Sequence, residues 1–293
     1  MTFGNGVFVA IANNDKYAIV SNDNGLTWVK YEASSTIRSW VSIVYNNGKF
    51  IAVTSDAKYS TSSNDNGETW IEFSINKNGL LSNIIWHSII YADNKWVAMD
   101  GDKSAVSYDG FNWEVNSLPI SGNWRGLTYG GGKFVAVTQN TTSTAIYSDD
   151  GITWNTTTLP SGTIGWSSVT YGNGRFVAVS QNTTIGAYSD DGITWYESTM
   201  SISGNPRRWR SVVYGGDKFV TVAYAAGADV KTDNALYSYN GIDWLETTMP
   251  SLQLWRYITY GNGRFVAISV DSDNAPGTYK PSNVAAYSDD GIT

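Results

Sequence analysis

One unit recurs along the whole chain, and that recurrence constrains the fold more than any single motif does. Each copy carries a Trp, a short apolar stretch ending in Tyr, a Gly/Asn turn, a Lys or Arg, and a Phe-Val-Ala-Val-like run. A variable loop and a Ser/Asp/Gly-rich turn closing on Trp complete it; Trp124 to Trp154 and Trp166 to Trp195 are the clearest copies. Aligned on the glycine of the closing turn, the copies fall at Gly25, Gly67, Gly110, Gly151, Gly192, Gly241 and Gly291, spaced 42, 43, 41, 41, 49 and 50 residues apart. Seven copies fill the 293 residues and leave no room for a second domain.

Each copy reads as four short strands. The first is β-branched and aromatic, as in Trp209 to Tyr214, and the second is the run Phe176 to Val179 and its equivalents. Between them sit turns such as Gly172-Asn173-Gly174, which tolerate positive φ and suit a tight hairpin. The third strand ends at the Tyr-Ser before the closing turn; the fourth starts at Thr-Trp and stops at Leu159-Pro160 or Met249-Pro250. Four antiparallel strands every 40 to 50 residues are the mark of a β-propeller blade. The expectation is therefore all-β: a single seven-bladed propeller spanning 1–293, with repeats at about 1–39, 40–85, 86–123, 124–165, 166–208, 209–254 and 255–293. Its terminal blades are expected to be incomplete, the first lacking an innermost strand and the last an outermost one, which predicts a chain that continues beyond its ends.

The closing turns carry a family resemblance. Ser21-Asn22-Asp23-Asn24-Gly25-Leu26-Thr27-Trp28 and Ser63 to Trp70 match Ser-x-Asp-x-Gly-x-Thr-Trp, the Asp-box. The chain thus resembles the Asp-box, or BNR-repeat, sialidase-like propellers, including those of phage tail, virion and bacterial surface proteins. In the later copies Tyr147-Ser148-Asp149-Asp150-Gly151 puts Tyr where the first Ser is expected, and Ser107 to Trp113 is looser. The resemblance implies that Asp23, Asp65, Asp109, Asp149 and Asp190, with Trp28, Trp70, Trp154, Trp195 and Trp244, are structural. On that reading Asp149-Asp150 and Asp190-Asp191 are not a catalytic carboxylate pair, although paired acids serve glycosidases.

Composition removes most other classes. Nineteen Lys and Arg against twenty-six Asp and Glu give a net charge of −7, which argues against nucleic acid and anionic membrane surfaces as partners. No apolar run reaches the roughly 18 residues of a membrane span. The absence of Cys removes disulfides, thiolate metal sites and Cys nucleophiles, and the single His87 excludes a His-rich metal site. The thirteen Trp are accounted for by repeat position: six close a turn, six open a first strand, and Trp96 replaces a second-strand Phe. Packing between blades explains them without a ligand.

What varies between copies is the residue after the first-strand Trp: Val41, His87, Arg125, Ser167, Arg210 and Arg256. Strand alternation puts these beside the variable loops, at Asn76 to Asn83, Ser201 to Arg208, Ala223 to Asn234 and Asp271 to Val284, on the face free for recognition. Sialidases hold a substrate carboxylate with three Arg, and Arg125, Arg210 and Arg256, with Tyr257 as a phenol, imitate that; a guanidinium fork matches a carboxylate. Symmetry of the repeat equally explains three Arg at one position. The Arg-Ile-Pro that precedes the first Asp-box of sialidases is absent, and no acid carries a catalytic motif.

The expected function is accordingly a non-catalytic recognition propeller for a glycan or cell-surface receptor, extracellular or in a virion, beside other virion or surface-protein chains. No catalytic residue is assigned; Arg125, Arg210, Arg256, His87 and Tyr257 are the candidate ligand contacts. A sialidase-type glycoside hydrolase and a purely architectural module are the alternatives. No cofactor is required; Asp100-Gly101-Asp102 and Asp271-Ser272-Asp273 offer oxygens to Ca²⁺ but lack an EF-hand pattern. Arg207-Arg208, the Lys or Arg before each second-strand Phe, and the sequons at Asn140, Asn155 and Asn182 read as surface features.

Overall fold

The second strand of each copy is an unbroken apolar run, the pattern of a strand covered on both faces. In the computed structural model it is so: Phe134 to Val137 and Val177 to Val179 are fully buried, with Phe176 all but so. The structure describes residues 1–55, 59–74, 86–140, 143–160, 165–181, 183–200, 207–225, 231–272 and 279–293. Among them there are strands and turns but no helix, so none is long and apolar enough to cross a membrane.

The fold is an all-β propeller with six blades, not seven. The first has four strands, Thr2–Gly4, Val7–Ile11, Tyr17–Ser21 and Val29–Glu32. The second has five, because Asn13–Asp15 adds to the edge of Arg38–Asn46, followed by Lys49–Thr54, Ser60–Ser63 and Ile71–Phe73. The third (Ser88–Ala92 to Glu114–Ser117), fourth (Trp124–Gly130 to Asn155–Thr158) and fifth (Trp166–Gly172 to Tyr196–Thr199) are four-stranded, in sequence order. The repeats read as sixth and seventh blades form one six-stranded sheet, Arg207–Gly215 to Tyr279–Ser288.

The merger has one cause. Strand Leu245–Gly261 runs 17 residues through Pro250, pairing first with Thr232–Ser238 and then with Arg264–Ser272. Proline removes a donor and normally ends a central strand. Here Pro250 falls between the pairs Asn234↔Thr248 and Thr232↔Gln253, where the register shifts and no ladder donor is required of it. A proline was read as a stop where the ladder only shifts register.

The expected loss of the first innermost strand is corrected too. Thr2–Gly4 pairs with Val7–Val9, and Phe3 stacks on Phe8 at 4.7 Å, as Tyr45 does on Phe50 and Tyr171 on Phe176. Thr2-Phe3-Gly4-Asn5-Gly6 parallels Thr170 to Gly174, with Phe for Tyr. The signal was present.

The chain divides into two compact units: Met1–Trp124 with Asp150–Trp154, and Arg125–Asp149 with Asn155–Thr293. In each, neighbouring repeats meet through apolar clusters. In the first unit Trp40 and Trp70 join Val7, Val9 and Phe50, and Trp86, Trp96 and Trp113 join Ile51 and Val53. In the second, Trp166 and Trp195 join Val135 and Phe176, while Trp209 and Trp244 join Val177 and Phe219. A second contact repeats beside these. A Cβ on Gly130, Gly172 or Gly215 would lie within 2.1 Å of the ring of Tyr171, Tyr214 or Tyr260 in the next repeat, so the tyrosines lie flat on backbone.

Candidate functional site

Each candidate arginine directly follows a tryptophan. Trp124, Trp209 and Trp255 are fully buried, which anchors the start of each first strand. In two of these strands the next residue is an insertion. Trp209 pairs with Ala223 and Ser211 with Val222, leaving Arg210 as an extra residue; Trp255 pairs with Ser269 and Tyr257 with Ile268, leaving Arg256. Val41 and Ser167 sit on equivalent irregularities. A bulge re-aims a side chain and is a common device beside functional sites. Periodicity alone did not reveal it, because an inserted residue shifts the alternation only locally.

Arg210 and Arg256 both act on Arg125. The pKa of Arg125 is lowered, first by the protein packed around it and further by Arg210 and Arg256, while the phenol of Tyr257 works in the opposite sense. Arg125 nonetheless keeps an exposed surface, and Tyr257 is 38% exposed. A cation that is crowded by protein, faces like charges and still meets water is one that an incoming anion would stabilise. Among the described residues, no carboxylate lies within ion-pair distance of Arg125.

Tyr257 also breaks a pattern the sequence reading passed over. At the equivalent position Ser42, Ser168 and Ser211 accept hydrogen bonds, each at 3.3 Å, from the backbone N–H of Ile89, Val212 and Ile258 in the following repeat. Gly126 occupies the position in the fourth repeat, where a Cβ would lie 2.8 Å from the backbone N of Val169. Small residues therefore hold adjacent first strands together, and Tyr257 replaces one with an exposed phenol.

The remaining variable positions have partners of their own. His87 lies in the first unit, its Nδ1 3.2 Å from Asp100 Oδ1 and its backbone N–H donating to Met99. Ser167 is buried and donates to the carbonyls of Val179 and Trp209. Most of the variable loops, with Pro206, Asn182 and the Arg207 side chain, lie outside the described residues.

The Ser/Asp turns are self-contained. In the first, Asp23 accepts from Ser21 Oγ at 2.8 Å and from the N–H and hydroxyl of Thr27, and Ser21 accepts from the N–H of Gly25. Thr27 is the first cause, and Ser21 a further one, of an Asp23 pKa lowered to about 2. The turn around Asp65 is the same. The later turns are one residue shorter rather than degenerate: Ser189 accepts from the N–H of Gly192, three residues on, and Asp191 from Ile193 and Thr194. Ser148 and Asp150 hold the corresponding places, Asp150 accepting from Ile152 and Thr153. So Asp150 and Asp191 are the turn acids, not Asp149 and Asp190.

Asp149 and Asp190 instead pair with Lys133 and Arg175 at 2.5 and 2.7 Å. Three cations at this repeat position, read as edge charges, bridge repeats. Arg175 Nη1 donates to the carbonyl of Asn240 at 2.8 Å, Lys49 to that of Asp109 at 2.9 Å and Lys95 to that of Asp150 at 3.2 Å. No group of three or more His, Asp or Glu gathers around a metal-sized space among the described residues. Asp100 faces His87, Asp102 pairs with Lys103 and Asp271 with Lys231; Asp273 lies outside the described residues.

No family model matches the chain, and no curated protein does. Solved structures do match in fold. Virginiamycin B lyase from Staphylococcus aureus superposes with a TM-score of 0.77 at 12% identity, over 92% of this chain and 90% of the lyase. YCF48 bound to D1 peptide gives 0.69 at 15% identity, over 88% of this chain and 84% of that one. A streptogramin B lyase structure gives 0.67 at 13% identity, over 84% of each. These likenesses establish the β-propeller.

Proposed function

We propose that this chain is a non-catalytic recognition propeller of the Asp-box type, and that it binds a carboxylated glycan of a cell-surface receptor through Arg125, Arg210, Arg256 and Tyr257. Its setting on this reading is an extracellular or virion protein. One observation carries it: within one unit Arg210 and Arg256, from the repeat position that Arg125 itself holds, both act to lower the Arg125 pKa, beside an exposed phenol. Fork-shaped donors are suited to a carboxylate, and an aromatic face to a sugar ring. Neighbours in fold include lyases and a propeller with a bound peptide, so the reading rests on these residues rather than on the fold.

The test is binding of the chain to arrayed sialylated, uronic-acid and neutral glycans, beside an Arg125→Ala/Arg210→Ala/Arg256→Ala variant checked for folding by tryptophan fluorescence. Acidic glycans are expected to bind and neutral ones not, with at least a hundredfold loss in the variant. Binding unchanged in the variant, or equal for neutral glycans, would overturn the site. Release of free sugar from a bound glycan would move the reading to the hydrolase.

A further inference from the structure

From the second repeat on, each second strand opens on a cation, and in four of these repeats an acid of the same repeat pairs with it. Lys133 meets Asp149 at 2.5 Å, Arg175 meets Asp190 at 2.7 Å and Arg264 meets Asp289 at 2.5 Å, each acid lying two residues before the glycine of its turn. In the third repeat that turn position is Tyr108, and Lys95 pairs instead with Asp93 in its own hairpin, at 2.6 Å. The sixth repeat keeps neither acid. Tyr239 stands in the turn where Asp149, Asp190 and Asp289 stand, and Gly216 stands in the hairpin where Asp93 does.

Lys218, the cation of that repeat, is only 9% exposed. Its ammonium donates to the Gly216 carbonyl at 3.1 Å and lies 5.6 Å from the centre of the Tyr239 ring. Among the described residues no carboxylate lies within ion-pair distance of it, its chain neighbour Asp217 included. Asp243, in the adjoining turn, accepts from Asn240 Nδ2 at 2.8 Å. Lys49 also lacks an acid, but it reaches the Asp109 carbonyl of the next repeat at 2.9 Å and covers the Phe111 ring at 3.9 Å. An ammonium has three donors, and a buried one without an opposite charge is costly to hold. Lys218 therefore has donors and charge to offer a group that the described residues do not supply.

We infer that Lys218 anchors a second ligand site, which takes a sulfate or phosphate oxygen in the place that the Asp149 carboxylate holds beside Lys133. The phenol of Tyr239, 54% exposed, forms its rim. A compact ammonium is a point charge without a fork, so it suits a tetrahedral oxyanion, which presents an oxygen in any orientation. Lys218 pairs with Gly215 at one end of its strand pair, and Arg210 lies toward the other, between the pairs Trp209↔Ala223 and Ser211↔Val222. The site is separate from the arginine cluster and does not depend on it.

The test takes the Arg125→Ala/Arg210→Ala/Arg256→Ala variant as parent, so that the arginine cluster does not contribute. Its Tm is followed as sodium sulfate, sodium phosphate or an O-sulfated disaccharide replaces sodium chloride at equal ionic strength, with and without Lys218→Met or Tyr239→Asp added. The parent is expected to show a saturable rise of several degrees, with the half-saturating concentration at least tenfold higher in both added variants. Sulfate also stabilises proteins by exclusion from their surface, but that rise does not saturate and is equal in all three proteins. Tyr239→Asp should raise Tm with no anion added, because it restores the missing acid, and this separates a filled site from a damaged fold. Half-saturation at least tenfold lower for the sulfated disaccharide than for inorganic sulfate assigns the ligand to a sulfated glycan. Equal or weaker binding of the disaccharide assigns it to the free anion, and both results support the site. A response that does not saturate, or that Lys218→Met and Tyr239→Asp leave unchanged, overturns it.

Discussion

At the residue scale, the short acidic turns show how one side chain organises a loop. Asp290 accepts from two backbone N–H groups and from Ser288, which brings its pKa to about 2 from a model-compound value of 3.8; the N–H of Thr293 is the first cause, and Asp23 reaches about 2 through Thr27. The folded value lies below the unfolded one, so the stability from these groups is complete above about pH 4 and is lost as pH falls through 2. Acid titration followed by tryptophan fluorescence should show a declining unfolding free energy across that window, with a shallower decline in Asp23→Asn. The glycines facing tyrosine rings are as specific. Gly172→Ala places a methyl 1.9 Å from the Tyr214 ring and should cost about 1–3 kcal/mol in urea unfolding, as overpacking does.

At the scale of elements, the cations before each second strand join one repeat to the next. Arg175 bonds Asp190 in its own repeat and the Asn240 carbonyl in the following one, with its guanidinium 4.9 Å from the centre of the Tyr188 ring. Its side chain is 22% exposed. Arg175→Ala should therefore destabilise by about 1–2 kcal/mol, more than an exposed ion pair does, and Arg175→Lys should recover only part, because a single ammonium cannot reproduce the fork. Strand Leu245–Gly261 makes a different prediction. Amides of Leu254–Gly261 pair along its second half, whereas Met249–Leu252 lie at the register shift inside its first ladder, between Thr248 and Gln253. Hydrogen exchange should be slow in the first group and fast in the second; uniform protection from Leu245 to Gly261 would contradict the observed pairing.

At the scale of the whole molecule, stability is divided among clusters that share no residues. The group around Trp166 and Trp195 and the group around Trp209 and Trp244 are disjoint, although both lie in the second unit. Repeat architectures approximate sums of local terms. Trp166→Phe and Trp209→Phe should each destabilise, and the double variant should equal their sum within about 0.5 kcal/mol in equilibrium unfolding. Coupling well beyond that would show that the repeats communicate through more than their immediate neighbours.

The repeat period, the buried Phe-Val-Ala-Val strands and the structural tryptophans were legible in the sequence, because side-chain burial on a strand follows local alternation and each copy reinforces the others. The same reading placed Arg125, Arg210 and Arg256 at one repeat position, with Tyr257 beside the last. What it misjudged depended on partners distant in the chain. Pro250 passes through a strand because the ladder shifts register there. Asp150 and Asp191, rather than the residues before them, cap the turns because those turns are one residue shorter. Lys49, Lys95 and Arg175 reach carbonyls 55 to 65 residues away, and Arg210 and Arg256 are set apart by bulges that exist only against a second strand. Local chemistry determined the elements; pairing geometry between them, which no window of sequence contains, decided the number of blades and which charges meet.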